Sequence, residues 1–254
     1  MTVERISDFA VITAVAPAGP RDRLLTFLTR RQGGVRLFAK RLPRRVTSMA
    51  FFEPLQGGEL VFTRPREGGH GRLASFVPQR VWPGVRQDFW RTIQSLAFLE
   101  SVNASITEGT SQPEMFSLLV QFLDRLETDR RPGLARAVAT LRLLVLDGFA
   151  PSLESCLACR ADVPAGTGAL LWPEGGGAVC RSCLPSRRDQ VIPVTPAAHG
   201  FLVRALRLPD GQARRLRTSV ATEREVSRLL DAFVEARTGL RPRCGSYIDK
   251  LEAV

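Results

Sequence analysis

Cys156-Leu-Ala-Cys159 is followed after twenty residues by Cys180-Arg-Ser-Cys183, and these two pairs are the most informative feature of the chain. Two CxxC pairs at this separation are typical of a closed structural zinc site, because each short gap lets both thiolates turn toward one ion. We therefore predict a single zinc ion held by Cys156, Cys159, Cys180 and Cys183. Since thiolates fill all four positions, none is left for a catalytic water, and the metal is predicted to be structural. The fifth cysteine, Cys244, has no CxxC partner.

Two disulfides are the main alternative for these cysteines, with a redox role as another. Disulfides require an oxidising compartment. The N-terminal segment carries Glu4, Arg5 and Asp8 without an uninterrupted apolar core, which argues against a signal peptide. No stretch approaches the length of an apolar membrane span. We therefore expect a cytoplasmic protein without a membrane partner, in which paired CxxC motifs bind metal.

The charge of the chain is its second strong signal. Its 254 residues include 36 basic and 25 acidic side chains, giving a net charge of +11. Such a charge favours polyanions, meaning nucleic acid or an anionic membrane surface. The hydrophobic content of 44% is that of an ordinary globular protein.

The pattern of apolar residues divides the chain into a β-rich part and a helical part. Short β-branched or alternating runs separated by Gly and Pro turns occupy residues 1–80 and predict a small closed barrel or a sandwich. From about residue 84 the apolar period becomes 3.6, which indicates helices. Three of these helices are predicted to begin at recognisable caps, namely Ser111-Gln-Pro-Glu114, Thr195-Pro196 and Thr222-Glu-Arg-Glu225.

The predicted fold class is α+β. Residues 1–80 form one predicted domain and residues 81–254 form an α-helical domain, interrupted by a zinc module at 150–190. This module has few large apolar residues, so the metal would supply the stability that a core of its own cannot.

The densest basic run is predicted to bind nucleic acid. Its candidate residues are Arg36, Lys40, Arg41, Arg44 and Arg45, with Phe38 between them and Phe51 and Phe52 following. Basic side chains follow a phosphate backbone while aromatic rings stack on unpaired bases. The alternative is a solvated loop with its Phe residues in the barrel core. A second, sparser cluster comprises Arg204, Arg207, Arg214, Arg215 and Arg217, with Asp210 among them.

Motifs for catalysis are missing from the sequence. It contains no GxxxxGK[ST], HExxH, GxSxG or GxGxxG. Neighbouring carboxylates such as Glu223 and Glu225 fit helix capping. We therefore predict a protein that is not an enzyme, with no catalytic residues.

Three features resemble the bacterial recombination-mediator family RecO. The first is Gly34 to Ser48 followed by Phe52-Glu-Pro-Leu55 and Gly58-Glu-Leu60, similar to the barrel signature of the family. The second is Gly148-Phe-Ala-Pro-Ser-Leu-Glu-Ser-Cys156, which resembles its lead-in to the first CxxC. The third is the order of barrel, helices, cysteine loop and helices. Arg160 departs from the family pattern, which commonly has glycine after the first CxxC.

The resemblance implies an N-terminal OB-fold β-barrel, a helical domain and an inserted zinc module with four cysteine ligands. It also implies a non-enzymatic function: binding single- and double-stranded DNA, annealing complementary strands and acting with RecR. Together they would help load the RecA recombinase onto strands coated with single-strand-binding protein. Many members lack the cysteines, so zinc is not expected to be essential to the shared activity.

Two other functions compete with this interpretation. One is a zinc-containing nucleic-acid enzyme, a nuclease or RNA-modifying protein with unrecognised catalytic residues. The other is a transcription regulator that reads DNA with the cysteine loop. The second is disfavoured because the loop carries just Arg160 and Arg181 and no obvious recognition helix.

Overall fold

The computed structural model describes residues 3–20, 22–40, 52–65, 71–185, 190–240 and 243–251. The chain divides into two compact units, each built from separate stretches of sequence. The first unit contains Met1–Gln87 and Val102–Glu127, and the second contains Asp88–Ser101 and Thr128–Val254.

A closed β-barrel forms the centre of the first unit. Its strands are β1 (Val3–Pro17), β2 (Arg23–Thr29), β3 (Gly33–Ala39), β4 (Gly57–Pro65) and β5 (Gly71–Arg80). They are arranged in the order β1-β2-β3-β5-β4. Neighbouring strands are antiparallel, except that β3 and β5 pair in parallel through Leu37–Gly71 and Phe38–Arg72. The strands predicted from apolar runs in residues 9–77 are therefore confirmed, and the arrangement is a barrel rather than a sandwich.

Side chains alternate between the two faces of each strand, and those on the inner face fill the barrel. In β3, Val35, Leu37 and Ala39 are buried in the barrel core, whereas Arg36 and Phe38 lie on the other face of the strand. The core also contains Phe27 and Phe62, among other residues from the remaining strands. In the pairing of β4 with β5, a Cβ on Gly58 would lie 2.1 Å from the carbonyl oxygen of Val77, so only glycine fits.

Two helices complete the first unit, α1 (Pro83–Arg86) and α3 (Pro113–Leu126). The rings of Phe116 in α3 and Phe9 in β1 meet edge to face at 6.2 Å. The Trp82 indole donates a hydrogen bond of 2.8 Å to Asp124. Residues of α3 thus pack with the barrel. The predicted domains at 1–80 and 81–254, with a module at 150–190, stay a prediction.

The start of α3 corrects the predicted capping box at Ser111. Gln112 is the N-cap, and it makes no side-chain capping hydrogen bond. The cause is Pro113 at the first helical position, since a residue before proline is excluded from the helical region.

The second unit packs helices on a small sheet. Its helices are α4 (Pro132–Leu146), α5 (Pro196–Arg207), α6 (Asp210–Ala213), α7 (Val220–Thr238) and α8 (Arg243–Leu251), and most of α2 (Phe89–Ser105) also belongs to it. The sheet has the order β7-β6-β8, with β6 (Ala169–Trp172), β7 (Gly177–Val179) and β8 (Ile192–Val194). Among the helices in the described ranges, none has the length and apolarity needed to cross a membrane.

Helices α4 and α7 form the core of this unit with α5. Leu134 and Leu141 of α4 belong to the same buried cluster as Leu230 and Phe233 of α7. Arg136 is 2% exposed and is held by Gln94 and Asp231, each at 2.6 Å. A buried charge of this kind is tolerated because it is paired.

The N-caps of α5 and α7 test two of the predicted helix starts, those at Thr195 and Thr222. Thr195 caps α5 by accepting a hydrogen bond from the Ala198 amide, as predicted. The predicted cap at Thr222 is wrong, because α7 begins one turn earlier and Ser219 is its N-cap. Glu225 instead accepts hydrogen bonds from the amide and hydroxyl of Thr195, at 2.7 and 2.6 Å.

Candidate metal centre and nucleic-acid surface

The four paired cysteines converge on one point. Their Sγ atoms all lie within 4.8 Å of one another, and those of Cys159 and Cys180 are 3.8 Å apart. A tetrahedral zinc ion with bonds of about 2.3 Å places its sulfur ligands about 3.8 Å apart. A disulfide would instead need about 2.05 Å between sulfurs, and all five cysteines are free. The arrangement could therefore hold a metal ion and does not form disulfides.

Pairing with β7 brings the two CxxC motifs together. The segment before Cys156 runs beside β7, with the Ala178 amide donating to the Ser152 carbonyl at 2.7 Å and the Leu157 amide donating to the Ala178 carbonyl at 2.8 Å. Cys180 directly follows β7. The first CxxC pair, which follows this segment, therefore lies beside the second CxxC pair, which follows β7.

A tight turn closes the first CxxC. The Arg160 amide donates to the Cys156 carbonyl at 3.0 Å, and the Cys156 amide donates to the Ala161 carbonyl at 2.8 Å. Arg160 has φ of 62°, in the left-handed region that favours glycine. The departure from the family pattern therefore leaves the turn in place, with arginine in a glycine-type conformation.

The thiols of this cluster differ in their pKa values. The backbone amides of Cys159 and then Cys180 donate to the Cys156 sulfur and lower the pKa of Cys156 to about 6. Hydrogen bonds with the sulfurs of Cys180 and Cys159, together with burial, raise the pKa of Cys183 to about 12. A cation between the sulfurs would favour the thiolate form, and a donor set of four thiolates suits zinc.

The cysteine module shares its core with the helices. Leu153, Leu171 and Ala178 belong to the same buried cluster as residues of α4 and α7. The buried His199 in α5 donates from Nε2 to the Leu153 carbonyl at 2.9 Å, and Arg207 pairs with Glu154. Part of the module's stability therefore comes from the helical core.

The predicted nucleic-acid residues lie partly on described strands. Arg36 is exposed in β3, with its Nε 3.0 Å from the Glu108 carboxylate. Lys40 is exposed just after β3. Arg41, Arg44 and Arg45 fall outside the described residues, as does Phe51, and their role stays a prediction.

Two further arginines, which lie just before β3, have structural partners. Arg31 pairs with the buried Asp8 at 3.3 Å, and Asp8 also accepts a hydrogen bond from the Arg31 amide. The Arg30 guanidinium lies over the ring of Phe9 at 5.1 Å. Both arginines stabilise the turn between β2 and β3, and they are therefore poorer candidates for DNA contacts than Lys40.

Comparison with known proteins gives the same assignment over both units. Residues 86–243 match the family model described as Recombination protein O C terminal. The chain belongs to the RecO family. Three RecO-family relatives carry the name "DNA repair protein RecO". The relative from Rubrobacter xylanophilus is 34% identical over 201 residues, covering 77% of this chain and 78% of its own. The relative from Desulforudis audaxviator is 29% identical over 248 residues, covering 95% of each chain. The third, from Anaeromyxobacter sp., is 30% identical over 262 residues, covering 98% of each.

The RecO names agree with the prediction that the chain is not an enzyme. They describe DNA repair proteins.

Some residues of the second arginine cluster in this RecO-family chain form ion pairs. Arg207 pairs with Glu154, and Asp210 pairs with Arg142 at 2.6 Å. Arg204, Arg215 and Arg217 are exposed.

Sequence reasoning missed two basic residues of the RecO barrel, Arg5 in β1 and Arg72 in β5. Both are exposed. They stand apart in sequence, and the register of the strands places Arg72 opposite Phe38 of β3 and Arg5 opposite Thr63 of β4. The alternation of β5 could have placed Arg72 on the outer face, but nothing in the sequence pairs β5 with β3.

Proposed function

We propose that this protein is a non-enzymatic DNA-binding protein of recombinational DNA repair. In this proposal it binds single- and double-stranded DNA and anneals complementary strands. With RecR it helps load the RecA recombinase onto strands coated with single-strand-binding protein. It would act in the cytoplasm, associated with the nucleoid.

The observation that carries the proposal is similarity over nearly the whole chain to proteins named for DNA repair, including one aligned over 95% of both lengths. The net charge of +11 supports a polyanionic partner. Annealing needs charge neutralisation so that two polyanions can approach, and it needs no reactive group.

The barrel is the part that we propose as an OB-fold. Five strands closed with a parallel contact between β3 and β5 fit the small Greek-key barrel that binds single strands. Arg36, Lys40, Arg41, Arg44 and Arg45 are the proposed DNA contacts. A single structural zinc ion at the four cysteines would hold the module at 150–190.

A strand-annealing assay tests the proposal. Two complementary oligonucleotides carrying a donor and an acceptor fluorophore are mixed with the protein, without nucleotide, in one reaction with EDTA and in one without it. We expect the protein to accelerate annealing in both the presence and the absence of EDTA, since charge neutralisation needs no metal. Cleavage or modification of the strands that EDTA abolishes would instead support a zinc enzyme, and no acceleration at all would overturn the proposal.

A further inference from the structure

We propose that His199 is a positioning residue for the metal site, because it holds the backbone segment that places the buried ligand Cys156. This inference rests on the zinc ion proposed above, and it adds a residue of α5 that lies outside both CxxC pairs. His199 acts through the Leu153 carbonyl and is not itself a ligand of the ion.

Cys156 differs from the other three cysteines of the cluster in its burial. It is 0% exposed, whereas Cys159 is exposed and Cys180 and Cys183 are half-buried. The Cys156 sulfur also accepts a hydrogen bond of 3.3 Å from the Cys180 amide. Exposed side chains can adjust to an ion, whereas a buried side chain is fixed by its close-packed neighbours. The path of the backbone before Cys156 therefore decides where this ligand lies.

The backbone before Cys156 is held from two sides. The carbonyls of Ser152 and Glu154 accept hydrogen bonds from backbone amides inside the module, at 2.7 and 2.9 Å. The Leu153 carbonyl between them accepts a hydrogen bond of 2.9 Å from Nε2 of His199. Buried carbonyls need such partners. The bond from His199 therefore ties this stretch of backbone to α5.

The surroundings of His199 indicate that this bond is the reason for a histidine here. His199 is 0% exposed, on the same helix as the core residues Ala198 and Leu202. Within the described part of the chain, its buried Nδ1 atom has no hydrogen-bond partner. An unpaired buried nitrogen costs free energy that an apolar side chain would not cost. Helix packing alone would thus favour an apolar residue, and the donor to the Leu153 carbonyl explains the histidine.

Helix α5 provides a fixed reference for the segment. Its first turn is capped by Thr195, and Leu202 and Val203 are 1% and 2% exposed in the helical core. Partners outside the ligand set orient the ligands, and their loss lowers metal affinity by about tenfold or more. Because His199 acts through the backbone and does not touch a sulfur, we expect an effect at the lower end of this range.

Two substitutions of His199 separate the hydrogen bond from the packing. His199→Gln keeps a side-chain nitrogen that can donate to the Leu153 carbonyl, and His199→Leu removes the donor while keeping a buried side chain. Two controls lie on the same helix. Val203→Ala weakens the core and removes no side-chain hydrogen bond. Arg207→Gln removes the surface ion pair with Glu154, the residue after Leu153.

Competition with a chromophoric chelator gives the zinc Kd of each folded variant. We expect His199→Leu to weaken zinc binding about tenfold and His199→Gln to stay within about threefold. Val203→Ala should unfold at a lower temperature while its zinc Kd stays within about twofold, since it removes packing and no hydrogen bond. Arg207→Gln should also stay within about twofold, because exposed ion pairs contribute little.

A measurement without a substitution at His199 covers the case in which His199→Leu does not fold. The nitrogen NMR signals of the His199 ring should shift when chelation removes the ion, because the Leu153 carbonyl then moves relative to Nε2. The chain contains two histidines, so His70→Gln leaves His199 as the one histidine that gives these signals.

The outcomes distinguish this inference from the proposed metal site. If the protein binds zinc and folded His199→Leu binds it equally tightly, His199 is not a positioning residue and the zinc site stands. The inference also fails if Val203→Ala weakens zinc binding as much as His199→Leu does, or if the ring signals do not shift on chelation. A protein that binds no zinc overturns the proposed metal site and this inference with it, whereas the annealing assay tests the DNA function separately.

Discussion

At the scale of single residues, Arg160 shows how a local rule can be overridden. A non-glycine residue in the left-handed conformation costs about 1–2 kcal/mol. Arg160 adopts it at φ of 62° while its amide donates to the Cys156 carbonyl. The turn is set by the hydrogen bonds around the first CxxC and by the convergence of four cysteines, so the side chain at this position does not decide it.

Cys244 is the cysteine that the metal site does not use, and its environment predicts low reactivity. Burial and then the nearby Glu100 carboxylate raise the pKa of Cys244 to about 11 from 9.0. The thiolate is the reactive form. At pH 8 we therefore expect iodoacetamide to modify Cys244 at least about tenfold more slowly in the folded protein than in the unfolded chain. Mass spectrometry of the tryptic peptide beginning at Cys244 gives the rate.

Glu100→Gln is the control for Cys244, because it removes the charge and keeps an oxygen to accept the Cys244 amide, now 3.0 Å from Glu100. It should accelerate modification. The raised pKa also has a consequence for stability: this contribution is complete below pH 9, where both states keep the proton, and is lost as the pH rises from 9 through 11. Fast alkylation at pH 8 in the folded protein would contradict this description of the site.

At the scale of secondary-structure elements, β3 shows how the position of a residue in a strand, or in the turn before it, decides the role of its side chain. The sequence places Arg30, Arg31, Arg36, Phe38 and Lys40 together. The turn before β3 uses the first two for structure, and alternation directs Arg36 and Phe38 outward. Lys40 is exposed just after the strand. Phe52, by contrast, packs against the barrel core. Equivalent-looking residues thus have different roles because of their position in the element.

The cysteine module is the element whose stability should depend on metal. Chelation is expected to loosen residues 150–190 while the helices remain, because binding energy at a structural zinc site contributes to local folding. Limited proteolysis should show new cleavage in this segment after chelation, and far-UV circular dichroism should keep its helical signal. Persistent helices are expected because the buried cluster of α4 and α7 is formed mostly by residues outside the module.

Two serine variants serve as matched controls for chelation. Cys183→Ser removes a proposed ligand and should behave like the chelated protein, with less zinc measured by elemental analysis. Cys244→Ser removes a cysteine outside the cluster and should keep the zinc and the protease resistance. Unchanged proteolysis after complete zinc removal would show that the module folds without metal.

At the scale of the whole molecule, the positive charge is distributed over both units. One basic group lies on the barrel strands and another comprises Arg204, Arg215 and Arg217 in the second unit. The proposed function assigns the DNA contacts to the N-terminal basic residues Arg36, Lys40, Arg41, Arg44 and Arg45. We expect Arg44→Ala combined with Arg45→Ala to weaken DNA binding and to flatten the slope of log K against log salt by about one to two units, because fewer counterions are released.

Arg204→Ala combined with Arg215→Ala removes the same charge from the second unit and is the matched control. Its salt slope should equal that of the original protein. If this pair flattens the slope and the N-terminal pair does not, the proposed DNA surface lies in the wrong unit.

The sequence predicts elements better than it predicts their partners. Alternation and the 3.6 period identify the strands and main helices because they depend on local side-chain direction. The caps at Ser111 and Thr222 were wrong because Pro113 and Ser219 determine where those helices begin. The sequence did not predict the packing of α3 with the barrel. An amphipathic stripe indicates that one face of a helix is buried, but it does not identify the element against which that face packs.

The sequence by itself determined the family, the positions of the barrel strands and the set of four cysteines, since these depend on residue type and spacing. Tertiary structure alone decided that Cys156 and Cys180 meet beside β7 and that the module shares the helical core. It also decided that Phe38 of β3 is opposite Arg72 of β5. The physical reason is that strand pairing joins residues far apart in sequence, and their contacts exist only after the chain has folded.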